Sequence, residues 1–219
     1  MKKNLVKWVP SWEEEDRALV NGYVRIAGVD EAGRGPWAGP VVAAAVVVLP
    51  EQRAQFPLGI NDSKKLTAAH REDLYQQITS GGGWCFGIGV SSVSEIDEVN
   101  ILQATFLAMR RALEELGNTP DFLLVDGKQL PGDDYPGTAL VKGDSRSVSI
   151  AAASILAKEH RDRMMIDQLD REFPGYGFAK HKGYGTKQHQ EALNELGPCS
   201  AHRQSFAPIR QLLETQKRS

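Results

Sequence analysis

The run Val41 to Leu49, Val-Val-Ala-Ala-Ala-Val-Val-Val-Leu, constrains this chain more than any other stretch. A near-continuous, valine-rich apolar run suits a strand covered on both faces, and so a central place in a sheet. A second apolar strand is expected over Val24–Asp30. Between the two lies Asp30-Glu31-Ala32-Gly33-Arg34-Gly35-Pro36-Trp37-Ala38-Gly39-Pro40. Consecutive carboxylates at the end of a buried strand are costly unless they are paired or bind a metal. The Gly33-Arg34-Gly35 turn sets a backbone that can approach a ligand beside a guanidinium suited to phosphate. Acids for a divalent cation next to a phosphate-reading turn point to metal-assisted phosphodiester chemistry.

The remaining elements predict an α/β layered fold. Beyond the polar residues 1–20, where Glu13-Glu14-Glu15-Asp16 suggests an exposed helical arm, the pattern is β-β-α-β-α-β-β-α followed by short helices. A helix is expected over Thr67–Thr79 and a strand over Trp84–Val90. Ser94 and Asp97 have capping-box spacing for the next helix, which ends at Gly117. Short strands follow at Phe122–Val125, closing on Asp126, and at Thr138–Val141, leading to Gly143-Asp144. The longest helix runs from Ser147 to about Phe173, apolar all round in its first half and so buried against the sheet. Helices are also expected over Lys187–Leu196 and from Pro208 to about Thr215.

A chain of 219 residues with 41% hydrophobic content can form one cored domain, alone or with a small appendage. Its net charge of −2 offers no bulk basic field, so a nucleic-acid partner must be read by local patches. Cys85 and Cys199 lack C-x-x-C spacing, which fits free thiols in a reducing compartment. Neither a signal-peptide pattern nor a transmembrane-length run is present, and a cytoplasmic protein is expected. The histidines and cysteines show no zinc spacing. Gly183-Tyr-Gly-Thr-Lys187 has the wrong order for a P-loop.

Asp30 and Glu31, Asp126 and Asp144 each sit at or just past the end of an expected strand, where ligand crevices of open α/β sheets form. Such a carboxylate cluster needs a counter-charge. Mg²⁺ or Mn²⁺ supplies one, and a pair of ions suits in-line displacement at phosphorus. Taken singly, Asp126 and Asp144 also fit ordinary turns. The Gly-Arg-Gly segment can equally be a tight turn whose arginine pairs with an acid.

The segment from Asp30 to Val41 resembles the signature of bacterial ribonuclease HII, the type 2 ribonuclease H. So do Asn61-Asp-Ser-Lys-Lys-Leu66, Val125-Asp126-Gly127, Lys142-Gly143-Asp144, Ser149–Lys158 with Arg161-Asp162, His181-Lys-Gly-Tyr-Gly-Thr186, and His202-Arg-Gln-Ser-Phe206. The matches keep the family's order over roughly residues 25–208. The resemblance implies a ribonuclease H-like fold: a central mixed five-stranded sheet, helices on both faces, and C-terminal helices. The domains would be a polar arm at 1–20 and a catalytic domain at 21–219. It implies endonucleolytic cleavage of RNA in RNA–DNA hybrids, and incision 5′ of single ribonucleotides embedded in duplex DNA, leaving 5′-phosphate and 3′-hydroxyl ends. That activity belongs to DNA replication and ribonucleotide excision repair.

The resemblance also implies roles. Asp30, Glu31 and Asp126 become metal ligands and catalytic acids, with Asp144 as the fourth, for Mn²⁺ or Mg²⁺, two ions in the active complex. Gly33, Arg34 and Gly35 would read the junction ribonucleotide through its 2′-hydroxyl. Tyr184 would pack on the following deoxyribose, or is an ordinary loop tyrosine. Lys64 and Lys182 are expected to contact phosphates. Lys158, Arg161 and Asp162 read as an internal salt-bridge network. Trp37 stands where a smaller aliphatic is usual. Gln211-Leu212-Leu213 lacks the aromatic end of a sliding-clamp peptide and reads as helix. A monomer is expected. The rivals are ribonuclease HIII-like activity, for which about twenty polar residues cannot make the extra N-terminal domain, and a silent hybrid-binding module, which would do better without acids facing phosphates.

Overall fold

A computed structural model describes residues 9–117 and 119–216. Five strands form one mixed sheet in the order β3-β2-β1-β4-β5. They are β1 (Ile26–Ala32), β2 (Val41–Val47), β3 (Cys85–Ser91), β4 (Phe122–Asp126) and β5 (Gly137–Leu140). The first three pair antiparallel, whereas β4 joins β1 and β5 joins β4 in parallel. The apolar run of β2 is buried along its whole length, as its composition requires.

Alternation along the strands splits the core between the two faces. Val29, Ala43, Ala45 and Val125 pack against α3 (Val93–Glu114). Val42, Ala44 and Val46 pack against α2 (Ala68–Thr79) and α4 (Val148–Arg163). Helix α4 lies directly on β1. A Cβ at Gly28 would stand 2.2 Å from the Ser149 carbonyl carbon, so only glycine permits this approach. Beyond Arg163 the helix widens into a π-type stretch, Met164–Leu169, and ends in α5 (Asp170–Glu172). Helices α6 (Phe178–His181), α7 (Lys187–Leu196) and α8 (Ala207–Gln216) build a C-terminal layer around Met165, Phe178, Leu193 and Ile209.

Several expectations are corrected here. The residues before the sheet do form a helix, α1 (Glu13–Val20), but it is docked rather than exposed. Buried Glu15 accepts hydrogen bonds from Ser147 Oγ at 2.6 Å, Ser149 Oγ at 2.6 Å and Ser149 N at 3.0 Å, at the start of α4. Residues 1–8 of the proposed arm lie outside the described residues. The capping box of α3 is Ser92 with Glu95, not Ser94 with Asp97. Asp97 instead accepts from the backbone N–H groups of Gln204 and Ser205, tying α3 to the segment before α8. Helix α3 is also broken at Asn100, whose φ of 69° leaves the helix and whose side chain caps the restart at Leu102 and Gln103. Among the described residues no helix is long and apolar enough to cross a membrane.

Candidate active site

The carboxyl ends of the three parallel strands meet on one edge of the sheet. Residues 30–32 of β1 pair only with β2, because the pairing with β4 stops at Val29 opposite Val125. A crevice therefore opens where β1 and β4 part, and one step past the last pair Asp30 stands beside Asp126. Alternation sends Asp30 to the α4 face with Gly28, and Glu31 to the α3 face with Val29. Asp144 follows β5 in a 3₁₀ turn, Gly143–Ser145. The Gly143 N–H donates to Asp126 Oδ1 at 2.7 Å, locking that turn to the end of β4. Asp30 and Asp144 are buried, while Glu31 and Asp126 are partly exposed.

These four acids repel one another. Burial, and then the charges of Glu31, Asp126 and Asp144, hold the Asp30 carboxyl well above the ordinary aspartate range. Burial also raises Glu31; the Arg34 guanidinium opposes the shift and Asp126 adds to it. Asp144 is pushed up to about 6 by burial and by Asp62 and Asp126. Burial pulls the Lys64 ammonium down, but the charges of Asp30, Asp144, Asp62 and Asp126 outweigh it and raise it. Lys64 is thus the cation the site already holds. Among the described residues no three His, Cys, Asp or Glu side chains stand ready-made as a metal cage. The donor set nevertheless fits a hard divalent cation: oxygen ligands only, mutually repelling, on a surface that water reaches.

Asp62 is the acid that the sequence reading passed over. Its charge helps to raise the Asp144 carboxyl, and it lies 3.5 Å from Lys65 Nζ, which donates to Ser145 Oγ at 2.8 Å. The loop around residues 61–65 is therefore fastened to the Asp144 turn. The signal was present in Asn61-Asp62-Ser63-Lys64-Lys65, but nothing local distinguishes Asp62 from a turn aspartate.

On the α3 side, Glu31, Arg34, Asp126, Lys128 and Lys142 line a groove of about 530 Å³ whose far wall includes Leu102, Phe106 and Met109. Gly33, Arg34 and Gly35 follow β1 directly. Gly33 adopts φ +99°, and a Cβ there would lie 2.1 Å from Arg161 Nε. Arg34 Nη1 reaches Glu31 Oε1 at 3.3 Å, so its guanidinium rests on a site acid. Tyr184 projects with 45% of its surface exposed, beside the turn: a Cβ built on Gly35 would stand 3.9 Å from its ring. Lys182 is not aimed at the acids; its ammonium donates to the Ala179 carbonyl and closes α6.

Two arginines hold this loop from behind. Arg161 does not join the expected salt-bridge network, which consists of Lys158 with Asp162 and Arg71 with Glu159 and Asp162. It donates instead to the carbonyls of Pro40, Ala38 and Lys182. Arg203 is fully buried and, among the described residues, also bonds only to backbone carbonyls. Three buried histidines brace the Tyr184 loop. His189 Nδ1 lies 3.0 Å from the Tyr184 carbonyl, His189 and His202 share a 3.0 Å contact, and His181 stacks on His189. Trp37 packs on His189 with ring centroids 5.6 Å apart, and its backbone N–H donates to the Gly183 carbonyl.

Strand-end carboxylates on a mixed five-stranded sheet, beside a glycine turn, define a metal-dependent phosphodiesterase of the ribonuclease H-like class. The ribonuclease HII family model matches residues 27–209. The chain is 56% identical over 197 residues to ribonuclease HII of Chlamydia muridarum, covering 90% of this chain and 88% of that one. The ribonuclease H2 structure from Pyrococcus horikoshii matches with TM-score 0.72 and 27% identity, over 89% of this chain and all of that one. A structure of Bst-RNase HIII in complex with Mn²⁺ matches with TM-score 0.67 and 22% identity, over 90% of this chain and 72% of that one, a likeness of fold. The chain belongs to the ribonuclease HII family. Its activity is accordingly metal-dependent endonucleolytic cleavage of the RNA strand of RNA–DNA hybrids.

Proposed function

We propose that the protein incises duplex DNA on the 5′ side of single embedded ribonucleotides as well as cutting continuous hybrids. The observation that carries this reading is the adjacency of three features: the acid cluster, the Gly33–Gly35 turn one residue beyond it, and the Tyr184 ring against that turn. In this reading Asp30, Glu31 and Asp126 hold one or two Mg²⁺ or Mn²⁺ ions, and Asp144 completes the acid set. A bound cation neutralises the carboxylates and lowers the barrier to attack by water at phosphorus. The water oxygen bonds to phosphorus and the bond to the 3′-oxygen breaks, giving a 5′-phosphate and a 3′-hydroxyl. With the ribose on the 3′ side of the cut, its 2′-hydroxyl cannot reach that phosphorus in line. The hydroxyl is therefore read, not used as the nucleophile. Without metal, burial and the neighbouring Asp62 and Asp126 hold Asp144 at about 6, so it joins the acid set fully only when a cation offsets that repulsion. The turn's backbone recognises the 2′-hydroxyl, and the Tyr184 ring packs on the next deoxyribose. Lys64 counters phosphate charge once a cation has taken over its role among the acids.

Residues 9–20 belong to this unit, with α1 as a brace on α4, and one copy of the chain suffices for the site. The test is a labelled duplex with one ribonucleotide, incubated with and without Mg²⁺ or Mn²⁺. A metal-dependent nick leaving a 3′-hydroxyl DNA end and a 5′-phosphorylated ribonucleotide is expected. Cleavage of continuous hybrid alone would overturn the junction reading.

A further inference from the structure

The Gly33–Pro40 loop leaves β1 with few ladder bonds of its own, and buried guanidinium groups satisfy its carbonyls. Arg203 Nε donates to Gly39 O at 2.9 Å, Nη1 to Arg34 O at 3.1 Å and Pro36 O at 2.8 Å, and Nη2 to Gly33 O at 2.6 Å, Gly39 O at 2.7 Å and Pro40 O at 3.2 Å. The Arg203 guanidinium lies over the Phe206 ring, 5.0 Å from its centroid. Arg161 ties Ala38 and Pro40 to Lys182, and so joins this loop to the one bearing Tyr184. Neither arginine has a carboxylate within ion-pair distance among the described residues. Burial lowers Arg203 to about 9 and Arg161 to about 10. Placing two cations here is costly, so the loop's conformation has a function that outweighs the cost.

Peptide planarity says what that function is. In a trans peptide the N–H of one residue points opposite to the C=O of the residue before it. With the Gly33 and Arg34 carbonyls turned in to Arg203, the Arg34 and Gly35 N–H groups must turn outward. The third gripped peptide confirms the geometry: the Pro36 carbonyl faces Arg203, and the Trp37 N–H faces away to bond Gly183 O at 2.8 Å. Arg34 and Gly35 are exposed, and neither N–H finds an acceptor among the described residues. Two adjacent outward donors fit an oxygen that accepts, as a ribose hydroxyl does.

We propose that Arg203 is a specificity-determining positioning residue, which turns the Gly33 and Arg34 carbonyls inward so that the Arg34 and Gly35 N–H groups face the ribonucleotide, with Arg161 coupling that turn to the Tyr184 loop. This rests on the reading of the turn given above. Lysine cannot replace Arg203, because three donors on a compact ammonium cannot span carbonyls that five donors in a rigid fork hold.

The test measures binding in an Asp126→Asn background with Mg²⁺, by fluorescence anisotropy, for a duplex with one ribonucleotide and the same duplex in all-DNA form. The expected result for added Arg203→Lys is an affinity loss of about tenfold for the ribonucleotide duplex and little change for the DNA duplex. Discrimination between the duplexes then approaches one. Equal losses on both duplexes, or unchanged discrimination, overturn the proposal. Gly35→Ala separates the two levels of the argument. Its methyl meets only the Tyr184 ring, at 3.9 Å, so the fold accepts it while the approach to the N–H groups is obstructed. If Gly35→Ala removes discrimination and Arg203→Lys does not, the positioning role alone fails. If Gly35→Ala also leaves it intact, the reading of the turn fails. Should Arg203→Lys not fold, Phe206→Leu keeps every donor but removes the ring beneath the guanidinium. A partial fall in discrimination is then expected, and none overturns the role.

Discussion

Asp126→Asn separates catalysis from stability in a way that follows from the site's electrostatics. The change preserves shape, because Asn keeps an Oδ1 that accepts the Gly143 N–H now 2.7 Å from Asp126. It removes one of the charges that, after burial, push up the carboxyls of Asp30, Glu31 and Asp144. At a spacing of about 5 Å across adjacent strands, two ionised carboxylates at an effective dielectric of about 20 repel by about 3 kcal/mol. Burial already disfavours the ionised form of Asp30, so only part of that is relieved, about 1–2 kcal/mol. The metal-free variant is therefore expected to melt about 2–8 °C above the wild type. Saturating Mn²⁺ should invert the order, since ligand at about a hundredfold excess over Kd adds about 2.7 kcal/mol to whichever protein binds it well. Turnover should fall at least about a hundredfold, because a charged ligand is lost. Calorimetric melts with EDTA and with Mn²⁺, together with steady-state cleavage, read all three. A variant less stable than wild type without metal, or one that turns over normally at saturating Mn²⁺, would refute the reasoning.

Metal affinity should fall as pH drops below about 6. The raised carboxyl of Asp144 takes a proton there, and protons and cation compete for the same oxygens; one competing group costs about tenfold per pH unit. Titration calorimetry of Mn²⁺ at several pH values checks this, and pH-independent affinity contradicts a converging acid site. Tyr184→Ala should lose more kcat/KM on a single ribonucleotide than on continuous hybrid, by up to about 1–3 kcal/mol by analogy with aromatic–base stacking. Equal losses would assign the ring to loop support. Glu15→Ala should lower stability by about 2 kcal/mol, or about 4–8 °C in Tm, because the Ser147 and Ser149 groups at the start of α4 lose their acceptor. An unchanged Tm would mean that α1 is not a brace.

Features that the sequence made legible are those whose cause is local. The β2 run is apolar because both its faces are covered. Asp30 and Glu31 stand out because apolar residues flank them, and the helices expected over Thr67–Thr79 and Lys187–Leu196 are there. Features that stayed hidden depend on partners far along the chain. Two overlapping serine–acid pairs compete to cap α3, and a distant segment at Gln204 and Ser205 claims Asp97, leaving Glu95 for the cap. The run Glu13 to Asp16 looks solvated, yet two serines more than 130 positions away bury Glu15. Arg161 looked like a member of an ion-pair network because a neighbouring acid is the usual partner of a guanidinium. Its true partners are carbonyls, which every residue carries and which leave no mark on a sequence.

The site joins two kinds of order at a single residue. Its acids are delivered by strand ends, where ladder bonds fix the backbone but the charges repel, so a cation is needed to complete them. Its reading turn is held by buried cations that satisfy carbonyls, so it is already set without any ligand. Ala32 alone separates Glu31 from Gly33. In the proposed reading that short link means that a ribose seated on the turn would fix where its 5′-phosphate lies relative to Asp30 and Asp126. Recognition of the hydroxyl and alignment of the scissile bond thus become one event, and misplacement by about an ångström is enough to cost about a hundredfold in rate. In the proposed reading a deoxyribose at the same place lacks the oxygen that the turn's donors require. Its phosphate is then not driven against the acids, so selectivity for RNA comes from alignment as much as from affinity.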